Sequence, residues 1–530
     1  MKWRNERVKK LRGSLVLMLI MAMCIQLVPM NVFASEPMEE LANKTGYLPL
    51  ELEEVELTDE DVADAYTLEE QEQIGATYQA GVSSYESRYY YYQLSDSKKA
   101  LYDSMYYQCN QYLSTQQDAT TYNSSYGRTD YIECTGFSRD DLMEVVYLFT
   151  ISNPQFYFVR GTAAMTGTQG SRSFVALAIY ADYISGSARA NYTAQFMNKV
   201  NNWLNTINAQ GSEYKKIKAA HDIVCANVTY DNGSNIDKHQ SSATAVLTGN
   251  TVCAGYSQMF SLLCNAAGME TVCVTSPEHE WNEVYLYGGW YVVDCTWDDL
   301  DDSNSWDYTY FCKSESAIDE GYHEPEAYIV AYRPGCYVDY IGKVSSYNGN
   351  TFYREPDESI RCYNKNGALI TNKFMFDGSY TYYMQADGSA MTDRLTYHPD
   401  GVHIIYFDTY GHEVFNNFQY CPSVGYTCYF DSQGYIYKDV ITFANNAVYY
   451  LDANGKMQNS GWFQFANGVD YGFANWNGTL NTSGFSYDPW GRIVFYHWNG
   501  MVARGLITDG AYYYSMDTTD GHYLGSFPVN

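Results

Sequence analysis

Residues 251–299 present a thiol, an imidazole and a carboxylate in that order. Cys253 lies in TVCAGYS at 251–257, His279 in HEWNEV at 279–284 and Asp294 in WYVVDCTWDD at 290–299. A thiol becomes a catalytic nucleophile when a base takes its proton and a third group orients that base. Cys253 precedes a helical run, where the positive end of the helix dipole favours thiolate over thiol. Fast alkylation of Cys253 near neutral pH is therefore expected if the chain is an enzyme. Its own backbone N–H is a natural oxyanion donor, and Gly255 lets a substrate backbone come close. Gln240 and His239, upstream, are candidates by position for a second oxyanion donor. Cys225, Cys264, Cys273 and Cys295 read as buried, inert thiols.

The elements that must position these groups follow from periodicity. A helix is expected over Glu213 to Val228, a loop over Tyr230 to Lys238 and a short helix over Ser241 to Leu247. The run from Cys253 to Ala267 places Tyr256, Met259, Phe260, Leu263 and Ala267 on one face and stops at Gly268. Glu270 to Thr275 reads as a strand, and Glu280 to Tyr287 with Trp290 to Thr296 as a hairpin about Gly288-Gly289. Parity puts His279 and Asp294 on one face. Register is the obstacle. A Gly288-Gly289 turn pairs Glu283 with Asp294 and leaves His279 about 13 Å away along the strand. No His–Asp hydrogen bond spans that distance. A contact between them requires a turn displaced toward Tyr287, a bulge or a strong twist. The acidic stretch Trp297 to Asp302 could gather oxygens around calcium, but it lacks EF-hand spacing and reads as a solvated turn. No other metal site and no cofactor is expected.

Taken together, the three segments resemble the transglutaminase-like superfamily, which has a papain-like thiol fold. TVCAGYSQMFSLLCNAAGM resembles its nucleophile helix and HEWNEVYLYGGWYVVDCTWDD its His and Asp hairpin. YKKIKAAHDIVCANVTYD at 214–231 is similar to the way bacterial members enter the domain. The resemblance covers about residues 210–330. It implies Cys253 as nucleophile, His279 as base and Asp294 as the orienting acid. Glu280 departs from the family pattern, which usually has a small residue there. Its carboxylate either raises the His279 pKa or faces solvent.

Beyond residue 360 a repeat takes over. Short aromatic strands end in turn glycines at 367, 388, 411, 434, 455, 478, 500 and 521, spaced by 21 to 23 residues. So steady a period marks stacked hairpins, each too small to bury a core alone. The repeats resemble bacterial cell-wall-binding repeats of the choline- and glucan-binding type, with YYLDANGKMQNSGWFQFANGVDYGFA at 449–474 as the nearest stretch. That resemblance implies aromatic cages for quaternary ammonium groups, or stacking on sugars. Trp462, Trp476, Trp490 and Trp498 are the candidates.

The remaining chain sets the context. Lys2, Arg4, Arg7, Lys9, Lys10 and Arg12 precede an apolar run from Ser14 to Val28 and a small-residue cleavage signal, Val32-Phe33-Ala34. Residues 1–34 thus read as a signal peptide, and no later run is long enough to span a membrane. Without them 26 basic residues face 61 acidic ones, a net charge of −35. That excess disfavours nucleic acid and anionic membranes as partners. Twelve cysteines remain after Cys24 leaves, with neither zinc-ribbon spacing nor a small disulfide framework. Cys421 and Cys428 form the pair to test first for a disulfide.

The expected architecture is an α+β papain-like transglutaminase core with an α+β N-terminal region, followed by a repetitive, solenoid-like β-hairpin domain. Its divisions are a signal peptide (1–34), an acidic flexible lead-in (35–83), an N-terminal α+β region (84–209), the catalytic domain (210–335), a linker (336–360) and the repeats (361–530). In the N-terminal region Ser95 and Asn191 are expected N-caps, and Phe156 to Val159 and Ser173 to Tyr183 expected strands. The functional expectation is a secreted, cell-wall-associated bacterial enzyme acting on protein or peptide amides through a Cys253 thioester, with hydrolysis favoured over crosslinking. A choline-bearing or glucan wall polymer is the expected second partner. The alternative is a non-catalytic surface adhesin that keeps the fold as a scaffold.

Overall fold

The computed structural model describes residues 48–77, 84–231, 240–300, 305–318 and 323–530. The expected signal peptide, His239, Asp301 and Asp302 lie outside them. The chain forms two compact units that meet in sequence between Ile341 and Gly342.

In chain order the first unit begins with β1 (Glu51–Glu56), α1 (Leu68–Thr77), α2 (Asp96–Ser114), β2 (Thr120–Thr121), β3 (Tyr126–Arg128) and β4 (Ile132–Glu133). Then come α3 (Arg139–Ser152), β5 (Val159–Gln169), β6 (Arg172–Tyr180), α4 (Gly186–Asn208) and α5 (Glu213–Asn227). The region of interest holds β7 (Thr229–Tyr230), β8 (Asn250–Thr251), α6 (Cys253–Ala266), β9 (Thr271–Ser276), β10 (His279–Leu286), β11 (Gly289–Val293), α7 (Cys295–Asp298) and β12 (Phe311–Lys313).

Serines start the long helices. The hydroxyls of Ser95, Ser138, Ser185 and Ser212 each accept the N–H three residues on, capping α2, α3, α4 and α5. Ser185 displaces the expected cap at Asn191, so α4 begins before that residue. Of the expected strand at Phe156 to Val159 only Val159 is extended, because the three aromatics before it fold into a buried turn.

The acidic lead-in is partly a structural element. ELEEVE forms β1, which lies parallel to β5 at the edge of a sheet ordered β1-β5-β6-β3-β2, with β4 on β6. Leu52 is buried within β1 and Val55 half-buried on the opposite face, while Glu51, Glu54 and Glu56 are exposed. The second sheet, antiparallel, runs β12-β11-β10-β9. One hydrophobic core reaches from Leu50 to Ile341. Residues 84–209 and 210–335 therefore share a core, with no boundary at 209.

In the second unit, part of the expected linker is folded. Gly342–Tyr347, Asn350–Arg354 and Ile360–Tyr363 make a three-stranded sheet. Two-stranded hairpins follow, and the unit ends in a three-stranded sheet. All eight periodic glycines have φ between 77° and 86°. They lie after the second strand of a hairpin rather than at its tip. An acidic or amide side chain shapes many of these turns: Asp408 Oδ1 accepts the N–H of Tyr410 and of His412, both at 2.8 Å. The period has a packing cause. Leu369 covers Gly388, where an added Cβ would sit 2.5 Å from Leu369 Cδ2. Ile436, Met457, Leu480 and Val502 cover Gly455, Gly478, Gly500 and Gly521 in the same way. Each unit is thus locked by the residue two past the previous glycine, and small clusters replace a single core. Among the described residues no helix is long and apolar enough to cross a membrane.

Candidate active site

The hairpin resolves its own register problem. Leu286 pairs with Gly289 and Asn282 with Val293, so the turn is Tyr287-Gly288, with φ of 48° and 90°. Shifted one residue toward Tyr287, this register brings Asp294 to the level of Trp281, two residues from His279 instead of four. There the chain leaves the sheet. Asp294 caps α7, its Oδ1 accepting the N–H of Thr296 at 2.9 Å and of Trp297 at 3.1 Å. That cap aims Oδ2 at His279, whose Nε2–H donates to it at 2.6 Å.

A residue that sequence reasoning missed completes this cluster. His323 Nε2–H donates to the same Oδ2 at 2.9 Å. Its ring packs between Trp281 and Trp297, and its Nδ1 is buried without a hydrogen-bond partner. No motif marks His323, which lies outside the hairpin in sequence. Burial pushes the Asp294 carboxyl upward, but the charge and hydrogen bond of His279, with those of His323, outweigh it. Asp294 is held well below the usual carboxylate range.

Cys253 opens α6, and two hydrogen bonds pin that helix to β10. Ser257 Oγ donates to the Trp281 carbonyl and Asn282 Nδ2 to the Ser257 carbonyl, each at 3.0 Å. The backbone N–H groups of Glu280 and Ala254 point at the sulfur, which places it against the backbone next to His279. The expected thiolate is not the resting form. Cys253 is 0 % exposed. Burial and then the Glu280 charge raise its pKa well above the ordinary thiol value, and the two N–H groups offset only part of that. Desolvation of the charged form outweighs the helix terminus, so alkylation of the resting protein should be slow.

Glu280 neither faces solvent nor meets His279. It is buried beside Cys273 and Ser257. Burial pushes its pKa up to about 8, with Ser257, Cys273 and Gln258 hydrogen bonds lowering it and the Glu326 charge raising it. A carboxyl whose folded pKa lies above its unfolded one stabilises the fold most at low pH. That contribution falls as pH rises from about 4.5 to about 8. Glu280→Gln should therefore lose less stability than wild type between pH 5 and pH 8, by up to several kcal/mol. Urea midpoints at the two pH values measure this; identical losses in both proteins would refute it.

Gly255 serves packing rather than substrate approach. An added Cβ there would collide with the Thr251 side chain. Gly255→Ala should cost about 1–3 kcal/mol through overpacking, read from denaturant midpoints. Gln240 is buried; its Oε1 accepts the Leu48 N–H at 2.8 Å and its Nε2 has no acceptor. Within Trp297 to Leu300 the chain is not a solvated turn: Asp298 is fully buried against His221, and Asp299 accepts the Tyr256 hydroxyl at 2.6 Å.

The four repeat tryptophans do not gather into a cage. Trp462 packs within the stack against Phe473 and Tyr496. Trp476, Trp490 and Trp498 are 83 %, 77 % and 65 % exposed. Among the described residues no ring contact joins any two of the four; Trp498 stacks on Phe443 and Trp490 meets the Arg492 guanidinium. Cys421 and Cys428 are adjacent, hydrogen-bonded free thiols.

Comparison with known proteins matches residues 201–295 to the Transglutaminase-like superfamily. Kyphoscoliosis peptidase of Mus musculus is 31 % identical over 107 residues, 16 % of this chain and 16 % of the relative. The chain thus spans about a sixth of that curated relative's length. In the second unit's range of size, the choline-binding domain of CbpL from Streptococcus pneumoniae is 20 % identical, covering 35 % of this chain and 97 % of that one, at a TM-score of 0.25. Choline binding protein F from the same organism is 23 % identical, covering 37 % and 60 %, also at 0.25. Residues 201–295, which hold Cys253, His279 and Asp294, are a transglutaminase-like domain.

Proposed function

We propose that this chain is an exported thiol enzyme that opens peptide or glutamine amide bonds through a thioester on Cys253. The observation that carries the reading is the 2.6 Å His279–Asp294 pair beside a sulfur that receives the Glu280 N–H. Because Nε2 of His279 is engaged by Asp294, Nδ1 is the nitrogen that accepts the thiol proton. As the proton moves, sulfur bonds to the carbonyl carbon and the carbonyl electron pair shifts to oxygen. The Cys253 N–H at the helix terminus and the Gln240 amide are the proposed oxyanion donors. The C–N bond then breaks, the imidazolium protonates the departing amine, and the thioester remains. Water attacks it in hydrolysis, returning the thiol; a second amine in water's place gives crosslinking. Hydrolysis is favoured because excluding water requires a dedicated tunnel. The mouse relative's designation as a peptidase supports the same direction.

The repeats are proposed to hold the enzyme at the cell wall by binding choline-bearing or glucan polymer. The exposed Trp476, Trp490 and Trp498 support a surface role. Retention on choline, glucan or whole-wall resin tests it, and a second unit that passes through all three ends it.

One observation favours a second reading, a non-catalytic adhesin: Cys253 is fully buried and its thiol is held protonated. Mass spectrometry of Cys253 after exposure to a peptide library decides. An acyl adduct on that residue identifies the enzyme; its absence across peptide and glutamine-amide substrates leaves the scaffold.

A further inference from the structure

A second buried cluster lies outside the proposed catalytic groups. His221 and Cys225 stand one turn apart on α5, and Cys295 and Asp298 one turn apart on α7. All four are at most 3 % exposed. The ligand atoms of His221, Cys225 and Cys295 lie within 4.8 Å of one another. Cys225 Sγ is 3.8 Å from His221 Nε2, and Asp298 Oδ2 is 3.1 Å from that same nitrogen. Tetrahedral zinc separates its nitrogen and sulfur ligands by about 3.3–3.8 Å, so small movements bring His221, Cys225 and Cys295 onto one ion, while Asp298, which stands outside that group and holds His221 Nε2, has to swing off this nitrogen to join them.

The outer contacts fit as well. Asp222 Oδ1 is 3.2 Å from His221 Nδ1, the carboxylate behind a histidine that fixes its other nitrogen for a metal. Trp306 Nε1–H and the Tyr308 hydroxyl hold that oxygen at 3.0 and 2.9 Å. The other oxygen of Asp298 accepts the Tyr310 N–H at 2.8 Å. A Cys225–Cys295 disulfide would account for two of these groups; a metal accounts for His221, Cys225 and Cys295 and for Asp222 behind the histidine. Two sulfurs select a thiophilic ion over calcium or magnesium.

We propose that His221, Cys225 and Cys295 bind a structural zinc ion that clamps α7 onto α5, with Asp298 moving from His221 Nε2 to the fourth position. The two thiols release their protons to solvent as sulfur binds the metal. Because Asp294 is the N-cap of α7, the clamp also steadies the carboxylate that holds His279.

The test uses the full chain, produced with zinc supplied and without chelator. Elemental analysis should find about one zinc ion per chain. Cys225→Ser and Cys295→Ser should each lose it, while Cys264→Ser, a buried thiol outside the cluster, should keep it. Should the ligand variants fail to fold, Asp222→Asn gives a milder test, weakening zinc about tenfold or more in chelator competition. Cobalt exchanged into the wild-type protein should show thiolate-to-metal charge transfer and tetrahedral ligand-field bands. A wild-type protein without stoichiometric metal overturns the proposal, whether peptide mapping then finds a Cys225–Cys295 disulfide or two free thiols. A cobalt spectrum lacking thiolate ligation overturns it equally.

Discussion

Cys253→Ala lowers turnover of peptide or glutamine-amide substrates by about 10⁴-fold or more and removes the acyl adduct. The fold should survive, because the exchange removes one sulfur from a small buried side chain; a stability loss of about 1–2 kcal/mol is expected. Cys253→Ser should be nearly as inactive, since a hydroxyl in the same place is a poorer nucleophile at neutral pH. Cys264→Ala provides the contrast. That thiol is fully buried inside the same helix, and burial raises its pKa as well. Its loss should cost stability but leave turnover intact. Steady-state kinetics and intact-mass analysis on all three variants separate the roles. Substantial turnover by Cys253→Ala would end the thioester mechanism. The buried, protonated sulfur adds a second expectation: proton transfer to His279 accompanies attack, rather than preceding it as in a preformed thiolate.

Asp294 should be as costly to lose, for a different reason. Its Oδ2 receives the N–H of both His279 and His323, while its Oδ1 caps α7. Asp294→Ala strands two buried imidazole donors and removes a helix cap, at about 1–3 kcal/mol for each stranded donor and about 1 kcal/mol for the cap. Asp294→Asn separates chemistry from stability. Its amide oxygen can keep the cap, but its NH₂ group then meets two N–H donors, which forces at least one histidine into the wrong tautomer. Turnover should fall about 10³–10⁴-fold with a smaller change in thermal midpoint than Asp294→Ala. An Asn variant within tenfold of wild-type turnover would show that Asp294 supports the fold alone.

Residue order and spacing revealed most of the local framework. TVCAGYS ahead of an apolar run placed the thiol at the start of a helix, and the two strand patterns with their glycine turn placed His279 and Asp294 on one face. Those properties are short-range: a helix starts, or a strand alternates, because of neighbours a few residues away. The repeat was legible for a similar reason. Each turn glycine has φ near 80°, and from Gly388 on each lies against the residue two past the previous glycine, so the same requirement recurs at each step.

Charge and composition misled where burial reversed their usual meaning. Glu51–Glu56 looks like a solvated acidic run, yet Leu52 within it makes it a sheet edge strand. Glu280 and Asp298 look like surface acids, yet both are enclosed. Whether a carboxyl or thiol is charged depends on the groups that exclude water from it, and these come from distant parts of the chain. The helix terminus before Cys253 was visible in sequence; the enclosure that overrides it was not. His323 and the His221–Cys225–Cys295–Asp298 cluster were hidden for the same reason, since their members meet only once α5, α7 and the segment beginning at His323 pack on one another. Local sequence thus specified which residues could carry chemistry, whereas the packed core settled their protonation, their partners and their distances, because electrostatics and hydrogen bonding act through space rather than along the chain.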